Sequence, residues 1–205
     1  MTWTVERSRY QKAAAAAEPV AVVTTKDHWA WTLLWVVGVV FTLGFLALGL
    51  SRRRFLEDFA TTFITRQGYP RAWARLSLRL IRHEGRHTTQ STWFGWWAFP
   101  VAWASRRLRA WLGAPLNALV YFVLPLPAGL AAGRFYLELD ADRTAWRAGL
   151  ADRTMTPADV RDHAASRAKT MSSGAYLWAW PAPWSRSAYS SAAEEVIRRA
   201  GYPVD

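Results

Sequence analysis

The chain has 205 residues, one domain's worth with room for an appended segment, and its 52% apolar content excludes a disordered protein. It has no cysteine, which excludes disulfides and thiolate metal sites and leaves the redox compartment unread. The net charge of +11 is spread as arginines among apolar stretches rather than gathered in a basic arm. Specific nucleic-acid binding is therefore not expected, and anionic lipid headgroups account for the charge at least as well. Fourteen tryptophans point the same way, because indole favours sites with one apolar and one wet end.

Residues 1–28 read as a polar leader, in which the run Ala13 to Ala17 has helix propensity but no evident partner. From Trp29 to Leu50 no charged residue occurs. A helix of that length spans roughly 33 Å, enough for a bilayer core of about 30 Å. Trp29, Trp31 and Trp35 cluster at one end, and Ser51-Arg52-Arg53-Arg54 closes the other. Residues 29–50 are therefore expected to form a transmembrane helix. The arginines that follow favour a cytoplasmic C-terminal domain over residues 51–205.

Phe59 to Thr65 is rich in β-branched and aromatic residues and predicts a short strand, with a turn at Gln67-Gly68-Tyr69. Pro70 suits the first position of a helix running into Thr88-Thr89. That helix carries His83-Glu84-Gly85-Arg86-His87. Residues four apart share a helical face, so His83 and His87 can present two imidazoles to one metal ion, with Glu84 beside them to handle the proton of a water. Trp73, Leu76 and Leu80 make that face continuous with an apolar one.

Residues 93–103 are aromatic and uncharged. Residues 111–133 are long enough to cross a membrane, but Pro115, Pro125 and Pro127 interrupt them. A membrane-embedded or buried hairpin is the first reading and packing inside a globular domain the second. A helix is expected from Arg134 to Gly149, placing Glu138 and Asp142 on one face. Thr156-Pro157-Ala158-Asp159 starts a helix that runs to about Lys169. Tyr176 to Trp184 reads as a loop, and a last helix over about 187–200 stops at Gly201. The fold class is mainly α with a short β element.

Catalytic zinc commonly takes three protein ligands and leaves a fourth position for water. Two histidines and the carboxylate of Glu138 supply three. His28 borders the apolar span and His163 is expected on a solvated helix face, so neither competes. With these residues in view, the chain resembles the gluzincin zinc metallopeptidases, nearest the membrane-associated branch of prenyl-protein and heat-shock-induced membrane proteases. The resemblance covers roughly residues 60–150. It implies a zincin-like helical domain behind the anchor, with His83, His87 and Glu138 as zinc ligands and Glu84 as general base. It also implies that Asp142 orients a ligand histidine.

Arg86 departs from the family pattern by placing a cation inside the motif, and Asp140 is the nearest acid to pair with it. Gln90 after the motif also occurs in related peptidases of unknown substrate. Tyr136, Tyr176 and Arg134 are candidate donors to an oxyanion. The function expected is a membrane-anchored zinc metalloendopeptidase acting on peptide or protein substrates in contact with membrane lipid. The alternative is a non-catalytic membrane or assembly protein that keeps the scaffold. Oligomeric state has no signature in the sequence.

Overall fold

In the computed structural model, residues 10–16, 18–26, 29–41, 51–70, 73, 77–95, 105–122, 131–176 and 179–203 are described. They are mainly helical, with one small sheet, as the composition and periodicity lead one to expect. The helices in chain order are α1 (Trp29–Phe41), α2 (Arg52–Glu57), α3 (Leu78–Trp93), α4 (Arg106–Phe122), α5 (Ala132–Ala151), α6 (Pro157–Met171) and α7 (Ala182–Arg199). The strands are β1 (Val22–Thr25), β2 (Thr61–Phe63) and β3 (Arg66–Tyr69).

Helix α5 is the axis of the C-terminal half. Its residues Phe135, Leu139, Ala145 and Trp146 are buried on more than one face, so it reads as a helix surrounded by others rather than one lying on a surface. Phe135, Trp146 and Leu150 join Val160 and Met171 of α6 and Tyr189, Val196 and Ile197 of α7 in one core. Helix α6 begins where the sequence signals it. Thr156 accepts from the Asp159 amide, and the Asp159 carboxylate accepts in return from the Thr156 amide. The chain leaves α7 through Gly201 at φ +83°, a left-handed position that glycine adopts at little cost. His163 is not on a solvated face. Its Nδ1 accepts a 2.8 Å hydrogen bond from Trp146 Nε1, and burial lowers its pKa to about 4.

The described part of the polar leader, residues 10–16 and 18–26, is part of the fold. Residues 10–16 are helical, and β1 pairs in parallel with β3, Val23 standing opposite Gln67. Tyr10, Ala14, Ala21 and Val23 pack with Tyr69 and Ile81 in a second, smaller core. Polarity concealed this because the polar groups are satisfied internally. Gln11 accepts from the Val23 amide and donates to the Ala21 carbonyl, both at 2.8 Å. Glu18 is fully buried, its Oε1 lying 2.7 Å from Arg106 Nε and its Oε2 accepting from Thr89 at 2.6 Å.

Two local expectations change. The turn falls at Ile64-Thr65, between β2 and β3, and Gln67-Gly68-Tyr69 is itself strand. Gly68 belongs there because the Trp31 indole lies on it, where any β-carbon would overlap the ring. Pro70 follows β3 instead of opening a helix. The metal-motif helix starts at Leu78, capped by Ser77, whose side chain accepts from the Leu80 amide.

No helix among the described residues is long and apolar enough to cross a membrane. Of the expected span 29–50, the described part is α1, and residues 42–50 lie outside the described set. The segment 111–133 divides between α4, which carries Pro115 within it, and the start of α5, with residues 123–130 outside. Helices α3 and α4 approach closely at Gly113, where a β-carbon would overlap the Ser91 carbonyl oxygen. The far end of α4 carries Tyr121, whose ring lies edge-on to His87 of α3 with the ring centres 6.2 Å apart.

Candidate metal centre

His83 and His87 lie on the inner face of α3, and Glu138 reaches them from α5. The two Nε2 atoms are 3.2 Å apart. Glu138 Oε2 is 3.2 Å from His83 Nε2, and its Oε1 is 3.6 Å from His87 Nε2. One ligand atom from each of the three residues lies within 4.8 Å of the other two, close enough for all three to reach a single ion. His83, His87 and Glu138 form a group that can hold a metal ion.

Both rings are turned by acceptors on their far nitrogens. His83 Nδ1 is 2.9 Å from Asp142 Oδ1, as the resemblance implies. His87 Nδ1 is 2.8 Å from Gln90 Oε1, a role the sequence reading did not assign. Gln90 is fixed in turn, its amide donating to the Leu137 carbonyl at 2.8 Å and to Asp140 Oδ2 at 2.9 Å. A ring that donates from Nδ1 can offer its deprotonated Nε2 to a metal, and here the two Nε2 atoms converge.

Arg86 does not point into the centre. Its Nε and Nη2 donate to the two oxygens of Asp140 at 2.7 and 3.1 Å, and its guanidinium lies 4.3 Å from the centre of the Trp93 ring. The pairing with Asp140 is the one composition suggested.

Two further residues reach Glu138. Arg167 of α6 donates from Nη2 to Glu138 Oε2 and from Nε to Asp142 Oδ2, each at 2.7 Å. The Tyr121 hydroxyl of α4 donates to Glu138 Oε1. Neither was identified from the sequence: Arg167 lies on a helix with no motif, and Tyr121 in an apolar run that suggested only packing. Of the proposed oxyanion donors, Tyr176 and Arg134 line a cavity together with His83, His87 and Glu138. Tyr136 is 59% exposed and packs on Phe135 and Trp180, away from the centre.

The electrostatics follow from burial against charge. Burial alone would lower the His83 pKa, but the Asp142 and Glu138 carboxylates outweigh it and hold the imidazolium to about 10. Burial pushes Glu138 up, and His87, His83 and Arg167 together hold it far below the usual carboxylate range. Asp142 behaves alike, with Arg167 and His83 overcoming its burial.

Glu84 is buried beside the triad, and Thr62 of β2 donates to its Oε2 at 2.6 Å. A cavity of about 210 Å³ contains the triad and Glu84. Its walls are apolar residues of α1, such as Leu34 and Trp35, together with β2 and the inner face of α4. The chain matches no family model, no curated protein and no solved structure.

Proposed function

We propose that the protein is a membrane-associated, zinc-dependent metallopeptidase with a zincin-like catalytic domain. One observation carries the reading: two inward Nε2 atoms, the Glu138 carboxylate and the Glu84 carboxylate share one cavity. Zinc suits the donor set, because two imidazoles and one carboxylate, with no thiolate, are a common arrangement at catalytic zinc with an open fourth position. When bound, the ion supplies Lewis acidity, polarising a carbonyl and lowering the pKa of a water from 15.7 to about 7.

The protein's own groups do the rest. Thr62 occupies Glu84 Oε2 and leaves Oε1 to accept a proton from the attacking water. The same carboxyl then carries that proton to the leaving amine. Tyr121 lines the cavity beside the triad and can turn its hydroxyl from Glu138 to meet negative charge developing on a carbonyl oxygen. Strand β2 lies at the edge of the sheet and lines the cavity, so an extended peptide can lie along it with its side chains against the apolar walls.

Association with lipid is supported by the apolar side chains that α1 and α4 expose, among them Trp29, Leu33, Val40 and Trp111. Three consecutive arginines, Arg52 to Arg54, lie beyond the apolar run. The orientation proposed is a cytoplasmic C-terminal domain.

The test pairs metal analysis with a Glu84→Gln variant. The full chain purified in detergent is expected to carry about one zinc. Glu84→Gln is expected to keep the metal and lose peptide hydrolysis by 100-fold or more, the usual scale for a general base. Unchanged hydrolysis in that variant would refute the mechanism. A second reading, a non-catalytic protein on the same scaffold, draws on one observation. Both oxygens of Glu138 already accept hydrogen bonds, so the cluster is satisfied as an ion-pair network. Absence of bound metal at neutral pH would favour it.

A further inference from the structure

We propose that Arg167 is the positioning residue of the metal centre, which the C-terminal helices α6 and α7 thereby complete. The proposal rests on reading His83, His87 and Glu138 as a metal centre. Glu138 and Asp142 stand one turn apart on α5, two like charges buried side by side. Arg167 spans them. Its Nη2 holds Glu138 Oε2 and its Nε holds Asp142 Oδ2, both at 2.7 Å, while Nη1 donates to the Tyr176 hydroxyl at 3.2 Å. The side chain is 14% exposed, so this fork operates in a low-dielectric setting. Tyr189 of α7 adds a 3.1 Å hydrogen bond to Asp142 Oδ2.

The arrangement divides the Asp142 oxygens by task. Asp142 gives Oδ2 to α6 and α7 and keeps Oδ1 for His83. Glu138 is held by Arg167 at Oε2 and by Tyr121 at Oε1, which fixes its rotamer with Oε2 3.2 Å from His83 Nε2 and Oε1 3.6 Å from His87 Nε2. One guanidinium thus sets a ligand and the acceptor that orients another ligand. Only a planar fork can do so, because an ammonium has no fixed pair of donors at that spacing.

Charge and geometry predict opposite signs. A cation beside a metal site weakens binding by repulsion, so losing Arg167 would tighten the site if charge governed. If positioning governs, losing it frees both carboxylates and weakens the site, on the scale of about 10–100-fold seen for groups that orient metal ligands.

The experiment measures zinc affinity of the full chain in detergent by competition with a chromophoric chelator. Arg167→Met is expected to weaken zinc binding by about 10–100-fold. Arg167→Lys, which keeps the charge and most of the length, is expected to fall between Met and the parent. Thr156→Ala weakens the start of the same helix without touching either carboxylate, and is expected to leave zinc affinity within about twofold, as a group outside the ligand-orienting shell should. Helicity measured by circular dichroism identifies a variant that has failed to fold, and the Lys variant then decides. Parent-like or tighter zinc binding by the folded Met variant, or by Lys where Met does not fold, overturns the proposal. Equal weakening by Thr156→Ala overturns it as well, by reducing Arg167 to general support of α6. A parent chain that binds no zinc removes the metal centre itself, a result distinct from parent-like variants.

Discussion

His87 Nδ1 stands 2.8 Å from Gln90 Oε1, one turn further along the same helix. The amide cannot rotate, because its nitrogen donates to the Leu137 carbonyl and to Asp140. One side chain therefore sets the tautomer of a candidate ligand and ties α3 to α5. Gln90→Ala is expected to weaken zinc binding by about 10–100-fold. It should also lower folding stability by about 1–3 kcal/mol, since buried partners lose their bonds. Chelator competition reads the first effect and denaturant melts of the metal-free protein the second. Parent-like zinc affinity would show that His87 needs no such acceptor.

Arg86 looks hostile to a metal in the sequence and is harmless in the fold. Its guanidinium is engaged by both oxygens of Asp140 and covers Trp93. The pair is partly exposed, at 26% and 32% of the side chains, so its net worth is on the scale of about 1 kcal/mol or less. Arg86→Ala is expected to keep one zinc per chain and to shift stability only slightly. A variant that gains ten or more times in zinc affinity would mean that the Arg86 charge reaches the centre after all.

His83 carries a pH signature. In the metal-free protein its pKa is raised from the ordinary 6.5 to about 10, so its charged form is stabilised by folding. That contribution is complete below about 6.5 and is lost as pH rises through 10. Glu138 and Asp142 are shifted the other way, so their contribution is present above the normal carboxylate range and lost on acidification. Metal-free protein is thus expected to be less stable at pH 10 than at pH 7. Zinc must displace the His83 proton, so zinc stabilisation should grow between pH 6 and pH 9. Urea melts at three pH values, with and without zinc, check both trends. A zinc increment that is flat across this range would contradict the His83 assignment.

What the sequence revealed was whatever is written locally. His83, Glu84 and His87 share a turn, Glu138 and Asp142 share another, and Thr156 with Asp159 announces a helix start; each holds in the fold. Gln90 could have been found, since it lies three residues past His87 on the same face. Arg167 could not, because its partners are 25 and 29 residues away and only the packing of α6 on α5 joins them. The described part of the leader hides its packing for a related reason. Glu18 and Gln11 look like solvated residues until Arg106 and β1 are seen to satisfy them. The Gly68 turn signal was overridden by a tertiary contact, the Trp31 ring, that no window around residue 68 contains.

On α1, Trp29 and Val40 are 68% and 67% exposed, and on α4 Trp111 is 50% exposed, an outward apolar display that water penalises. The inner faces of the same two helices wall the cavity that holds Glu84 and the triad, so a bilayer covering their outer faces would bring apolar segments near the site. Two forces should hold the chain to a membrane and can be separated. Apolar burial survives salt, whereas attraction between arginines and anionic headgroups is screened by it. The full chain is expected to float with vesicles of neutral lipid and to remain bound in 1 M salt. Replacing Arg52, Arg53 and Arg54 with serine removes about 1 kcal/mol per cation near an anionic surface, on the order of a hundredfold in partitioning at low salt. The loss should appear with anionic vesicles and be nearly absent with neutral ones. A chain that stays in the aqueous fraction with both kinds of vesicle would end the membrane assignment and leave the apolar faces of α1 and α4 for contact with protein.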